Sequence, residues 1–365
     1  IETTPALAIG EITPTPLPEE TTPEAFNAQA LIESALQDLS DGNWRSAVSK
    51  MDEVLAVESD NVEAYLIRGV AYSRLGRLSL AEDDFTAAID LEPYNWQLYI
   101  FRGDTYSAQG DNTGALLDYD RSIEVYWLND SAYSRRADLY FQLGDTEAGG
   151  VDDLISRALA AYQFGDLQVA RDFLEEAANS GDDIPAVANA YMILGLVYQS
   201  LGDESASLEA YNRAEELNPD MHMIYLGRGI LYREMGDIQE AGADFAQRMD
   251  LLGVDFPTEE ASIGDTLEIE MAYRRVVRIT FEGELGQTVT LTARDSQTTA
   301  TDPLIALLGP DGEPIAGDDD FGGNLDSQIA EFELPANGTY TLLVSHAEGG
   351  YDSGFEGVVT VSIEN

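Results

Sequence analysis

Groups able to do chemistry are few in this chain, and their spacing excludes most of what they could do. Cysteine is absent, histidine occurs only at His222 and His346, and Lys50 is the single lysine beside 18 arginines. Thiol catalysis, cysteine-bound metal clusters and disulfides therefore have no raw material, and Schiff-base chemistry almost none. Ser345-His346 with Glu348 close by spells the parts of a nucleophilic triad. Neighbours on a strand point to opposite faces, so this serine and histidine cannot meet as nucleophile and base. Gly322-Gly323 has no Lys-Ser or Lys-Thr behind it, which rules out a phosphate-binding loop. No catalytic residue is assigned, and no enzyme activity is expected.

Oxygen chemistry remains. Asp318-Asp319-Asp320, with Asp302 and Asp326 near in sequence, is the best candidate for a calcium site. Hard cations take about six to eight oxygens, and loop carboxylates supply them; the competing reading is a solvated acidic turn. Asn129-Asp130-Ser131 and Asn337-Gly338-Thr339 fit the N-glycosylation acceptor pattern, the second being also a turn signal. Thr3, Thr4, Thr13, Thr15, Thr21 and Thr22 lie among prolines, a setting that suits O-glycosylation.

Three regions of different pattern must position these groups. Residues 1–24 hold six Thr, five Pro and five Glu without one basic residue. Proline at that density forbids helix and gives an extended arm. Leu7, Ile9 and Ile12 lie in its apolar stretch Ala6–Ile12, unlike an ordinary tether, and are expected to dock the arm on a neighbouring subunit.

Residues 25–255 repeat every 34 positions. Tyr65, Arg68, Gly69, Tyr72, Gly76, Ala81, Phe85 and Pro93 set the pattern, and Tyr99, Arg102, Gly103, Tyr106, Gly110, Ala115 and Tyr119 follow it. Tyr225, Arg228, Gly229, Tyr232, Gly236, Ala241 and Phe245 close the series. This resembles the tetratricopeptide repeat (TPR) family, a solenoid of two-helix units, here about six repeats plus one truncated. Small residues let paired helices approach, aromatics fill the space between pairs, and Gly-Asp or Gly-Arg turns end each first helix. The period breaks once: Gly165-Asp166 follows Gly144-Asp145 by 21 residues, so a helix is missing or fused there and the superhelix should change direction. Arg68 with Asp84, Arg102 with Asp118, Arg136 with Asp152 and Arg228 with Asp244 recur together, whereas Leu194 accompanies Ala210. Such covariation predicts an ion pair between the helices of a repeat, because a half-buried charge without its partner is costly.

The resemblance also implies a concave groove. Carried over by repeat position, its lining includes Leu66, Val70, Ile100, Met192, Leu196, Met223, Leu226 and Ile230. Several are apolar and should face solvent in an empty groove, which suggests an extended apolar peptide as ligand.

Residues 256–365 switch to period two. Strands are expected near 276–281, 288–292, 304–308, 329–334, 340–345 and 358–363, within a sandwich of about eight. Asp302-Pro303-Leu304, then Gly309-Pro310-Asp311-Gly312, then Leu334-Pro335-Ala336-Asn337-Gly338-Thr339-Tyr340 resemble the bacterial pre-peptidase C-terminal (PPC) family. These are jelly-roll-like modules of secreted proteins, some of which bind calcium. That resemblance implies export and a non-catalytic role.

The expected fold is therefore multidomain: an all-α TPR solenoid, an all-β jelly-roll-like sandwich and an extended Thr/Pro-rich arm. With 68 acidic and 19 basic residues the net charge is −49, which repels phosphate backbones and anionic lipid. No apolar run is long enough to span a bilayer. No nucleic acid and no membrane insertion are expected, and no cofactor beyond the candidate calcium. The chain opens at Ile1 rather than Met, so either a signal peptide was removed or the sequence starts partway along. The leading expectation is a non-enzymatic exported subunit of an extracellular filament or surface structure, its arm docking on the next copy as a homo-polymer; the alternative is a monomeric extracellular or periplasmic adaptor whose groove binds a partner peptide.

Overall fold

The structure, a computed structural model, describes residues 27–252, 257–272, 275–295, 302–319, 326–346 and 356–365. Leu7, Ile9, Ile12, the six arm threonines and Asp320 lie outside them.

Thirteen helices fill 28–252. Four pairs come first: α1 (Ala28–Ser40) with α2 (Trp44–Leu55), α3 (Val62–Arg74) with α4 (Leu78–Leu91), α5 (Trp96–Gln109) with α6 (Asn112–Val125), and α7 (Asp130–Leu143) with α8 (Thr146–Gln163). The single α9 (Leu167–Ala178) follows, then α10 (Ala186–Leu201) with α11 (Glu204–Leu217) and α12 (His222–Met235) with α13 (Ile238–Leu252).

Local chemistry sets these boundaries. Asn27, Asn61 and Asn129 cap α1, α3 and α7, each accepting the amide three residues on, and Asn95 caps α5 through Gln97. Gly110, Gly144, Gly202 and Gly236 end the first helices of their pairs in the left-handed conformation. Within a pair the approach is close. A Cβ at Gly229 would lie 2.4 Å from the Phe245 ring. At the break in period, α8 runs for 18 residues and packs on both α7 and α9. One fused helix thus serves two neighbours.

Among the described residues nine strands follow: β1 (Thr258–Glu260), β2 (Thr266–Ala272), β3 (Val277–Gly283), β4 (Thr288–Asp295), β5 (Pro303–Leu308), β6 (Pro314–Asp318), β7 (Ser327–Glu333), β8 (Gly338–His346) and β9 (Glu356–Glu364). One sheet has the order β1-β3-β8-β5-β6 and the other β2-β9-β4-β7. All pairings are antiparallel except β1 with β3. Alternate residues meet between the sheets, among them Ile279, Phe281, Leu291, Tyr340, Leu342 and Val361. The opposite face of the first sheet is covered as well. Val276, Leu304, Ala306 and Leu343 pack against Leu226, Phe245 and Met249 of the last helix pair. The sandwich therefore closes the end of the solenoid, where a further repeat would otherwise have to bury that apolar face.

Candidate functional site

Four arginine clamps tie the helices of the solenoid together. Arg136 donates through Nε and Nη2 to Asp152, both at 2.7 Å, and through Nη1 to Asp120 at 2.5 Å. Arg68–Asp84, Arg102–Asp118 and Arg228–Asp244 repeat the bidentate geometry at 2.7 to 2.9 Å. The third nitrogen of each reaches back 16 residues, to Asp52, Thr86, Asp120 or Asn212 on the preceding second helix. Each guanidinium thus joins three helices. The tyrosine three positions earlier lies 5.5 to 5.8 Å from its carbon. Burial pushes the carboxyls of Asp84, Asp152 and Asp244 up. Burial also works against the charge of Arg136, but Asp152 and Asp120 hold its guanidinium above its ordinary value.

At the break in period the repeats part around a cavity of about 420 Å³. Ile123, Trp127, Ile184, Met192, Met221 and Met223 give it an apolar lining. Asp120, Glu124 and Asp220 add carboxylates, all three exposed. Arg136 and His222 also face it. It draws on α6, α7, α8, α10, α12 and α13 and the connections before α7, α10 and α12, so four repeats build it.

The expected groove residues divide. Met192 and Met223 line this cavity. Leu66, Val70, Leu196 and Ile230 are half-buried and do not reach it. Ile100 and Leu226 were expected to face solvent and are instead buried, and Met192, 2% exposed, forms the cavity floor. Ile100 joins a continuous core with Ile123 and Ala132, and the docked sandwich encloses Leu226. Position in the repeat could not register either neighbour.

The carboxylates proposed for calcium are engaged otherwise. Asp318 Oδ1 accepts from Arg233 Nε at 2.7 Å and its Oδ2 from the Gln328 amide at 2.7 Å. Asp319 stands 3.5 Å from the same arginine. A guanidinium from α12 occupies the place expected for a cation. Asp326 faces Arg294 at 3.7 Å, and the Asp302 amide donates to His346 Nε2 at 3.3 Å. Among the described residues no three or more His, Cys, Asp or Glu side chains are grouped to hold a metal ion. Ser345 donates to the Arg275 carbonyl, away from the imidazole nitrogen that takes the Asp302 amide.

The glycosylation sites also separate. Asn129 is buried, its Nδ2 donating to Ser122 at 3.0 Å while its Oδ1 caps α7; the nitrogen a glycan would need is inside the fold. Asn337 is exposed and accepts the Leu285 amide at 2.7 Å.

Known proteins are similar to parts of this chain. The tetratricopeptide repeat profile matches residues 33–95 and again 188–221. The helical region is a TPR solenoid. The photosystem I assembly protein Ycf3 of Synechococcus sp. (strain CC9605) is 28% identical over 86 residues, covering 24% of this chain and 50% of its own. The chain thus spans about half the length of that curated relative. Among solved structures, the first TPR of Spaghetti (RPAP3), bound to an HSP90 peptide, aligns over 32% of this chain and 93% of its own, at 24% identity and a TM-score of 0.31. The pre-peptidase C-terminal domain of a Bacillus anthracis collagenase aligns over 31% of this chain and 99% of its own, at 13% identity and a TM-score of 0.26. No helix among the described residues is long and apolar enough to cross a membrane.

Proposed function

We propose that this chain is a non-enzymatic, exported interaction protein that captures an extended segment of a partner protein in the TPR cavity. One observation carries the reading: a cavity of about 420 Å³ with an apolar lining opens where four repeats meet. Its volume falls within the range of about 300–1,000 Å³ found for small-ligand sites, enough for a few side chains of an extended peptide.

The filament reading gives the same cavity another occupant, the arm of a second copy. The apolar stretch Ala6–Ile12 favours it. Charge opposes it, since an arm with five Glu and no basic residue would enter past Asp120, Glu124 and Asp220. A hetero-partner therefore stands first. Light scattering separates the two: an adaptor remains monomeric across concentration, and a filament subunit does not. Secretion of the precursor in a bacterial host, read as protein in the medium or periplasm, tests export.

The cavity itself is tested at Ala148, a half-buried lining residue on the first turn of α8. Ala148→Trp puts a large side chain into the lining. Bound peptides should be released at least about tenfold more readily while the melting temperature holds; unchanged peptide binding would remove the cavity from the function.

A further inference from the structure

We infer that the occupant of this cavity is a cationic segment, a Lys or Arg flanked by apolar residues. The inference rests on the reading of the cavity as a peptide site and adds the class of peptide. Its basis is the state of the charges in the wall. Arg136 is the lining's one arginine, and the lining has no lysine. All three guanidinium nitrogens of Arg136 are engaged, two on Asp152 and one on Asp120. An acidic ligand would have to displace a carboxylate from a buried clamp, which is costly.

The carboxylates, in contrast, are in surplus. Arg136 faces two of them, Asp152 and Asp120. Glu124 is balanced by Arg121 at 2.6 Å. Asp220 lines the cavity and is exposed, and its backbone amide turns to Asn218. The wall thus carries net negative charge, inside a chain of net charge −49 that draws cations toward every face. Trp127 offers an aromatic surface beside these carboxylates, and a guanidinium or ammonium stacks on such a ring. Met192, Met221 and Met223 supply an adaptable apolar bed for the flanking side chains.

The test uses the full chain and three fluorescein-labelled decapeptide pools. All have leucine-rich flanks, with arginine, citrulline or glutamate fixed at the centre. At low salt the arginine pool should bind at least about tenfold tighter than the citrulline pool, and the glutamate pool should bind weakest. Raising the salt should shrink the arginine advantage and leave citrulline binding nearly unchanged. Asp220→Arg should weaken the arginine pool and strengthen the glutamate pool, with the melting temperature held; Glu124→Gln serves as the milder variant. Equal binding of arginine and citrulline pools overturns the cationic inference and leaves the cavity as a peptide site. Preference for glutamate overturns it in the same way. If no pool binds and Ala148→Trp changes nothing, the peptide-site reading itself fails.

Discussion

Asp152 is fully buried and Arg136 nearly so, and each completes the other's hydrogen bonding. Taking two charges out of water costs about as much as their attraction returns, so the pair as a whole adds little to stability. Removing one partner is different, because the survivor stays buried and uncompensated. Asp152→Ala, which takes both acceptor oxygens from Arg136 as well as the charge, should therefore cost about 3–5 kcal/mol in denaturant unfolding. The chain contains its own control. Leu194 and Ala210 occupy the same two positions in the fifth pair and are buried without charge. The double variant Arg136→Leu with Asp152→Ala should cost far less than Asp152→Ala alone, and simple additivity of the single losses would refute the clamp. This pairing was legible, since charge appears and vanishes at both positions together. The role of Asn129 was legible too: Asn27, Asn61, Asn95 and Asn129 recur at intervals of 34. A cap series explains all four, and a glycan would explain one.

At the scale of elements, α13 and β6 touch backbone to backbone. A Cβ on Gly242 would stand 2.4 Å from the Ala316 carbonyl carbon, and one on Gly317 would stand 2.6 Å from the Gly242 Cα. Glycine in a helix interior is ordinarily a liability of about 1 kcal/mol relative to alanine. Gly242→Ala should nevertheless destabilise by about 1–3 kcal/mol, because the overpacked contact must open. It should also split one calorimetric transition into two as the sandwich uncouples from the solenoid. Gly150→Ala is the matched control: it lies in α8 with open space around it and should stabilise by about 0.5–1 kcal/mol. Equal signs for the two substitutions would disprove the tight interface. A trace of this contact was present in the sequence. Leu304-Ile305-Ala306-Leu307 has no alternation, and all four residues are buried because β5 has a core on each face. What covers the second face lies some sixty residues upstream by sequence, in Phe245 and Met249, and periodicity carries no information about such distant pairs. The cavity was half legible for the same reason. The 21-residue spacing marked where the solenoid changes, but Ile123, Trp127 and Ile184 come from second helices and connections that the repeat pattern does not assign to a groove.

For the whole molecule, charge and burial act on stability in one direction. The sandwich region 256–365 carries 21 acidic and 4 basic residues, and the remainder of the chain carries the rest of the −49. Like-charge repulsion of this size opposes the compact state and relaxes as carboxylates take up protons. The buried carboxyls of Asp84, Asp152 and Asp244 add to it. Burial raises each above the ordinary 3.8, so the folded chain binds these protons more readily than the unfolded one. Their contribution to stability is full below 3.8 and is lost as pH rises through the raised values. Asp38 acts in the opposite sense. Its hydrogen bond from Lys50 holds its carboxyl below 3.8, so what it contributes is present above that pH and is lost only in stronger acid, outside the window that matters here. Thermal melts at low salt should accordingly show a higher midpoint at about pH 5 than at about pH 8. In about 0.5 M NaCl the difference should shrink as the surface repulsion is screened. A midpoint that falls from pH 8 to pH 5 would mean that ion pairing of the clamps outweighs both repulsion and burial. The solenoid would then be held together by its charges, and the uncharged pair at Leu194 and Ala210 would be its weakest joint.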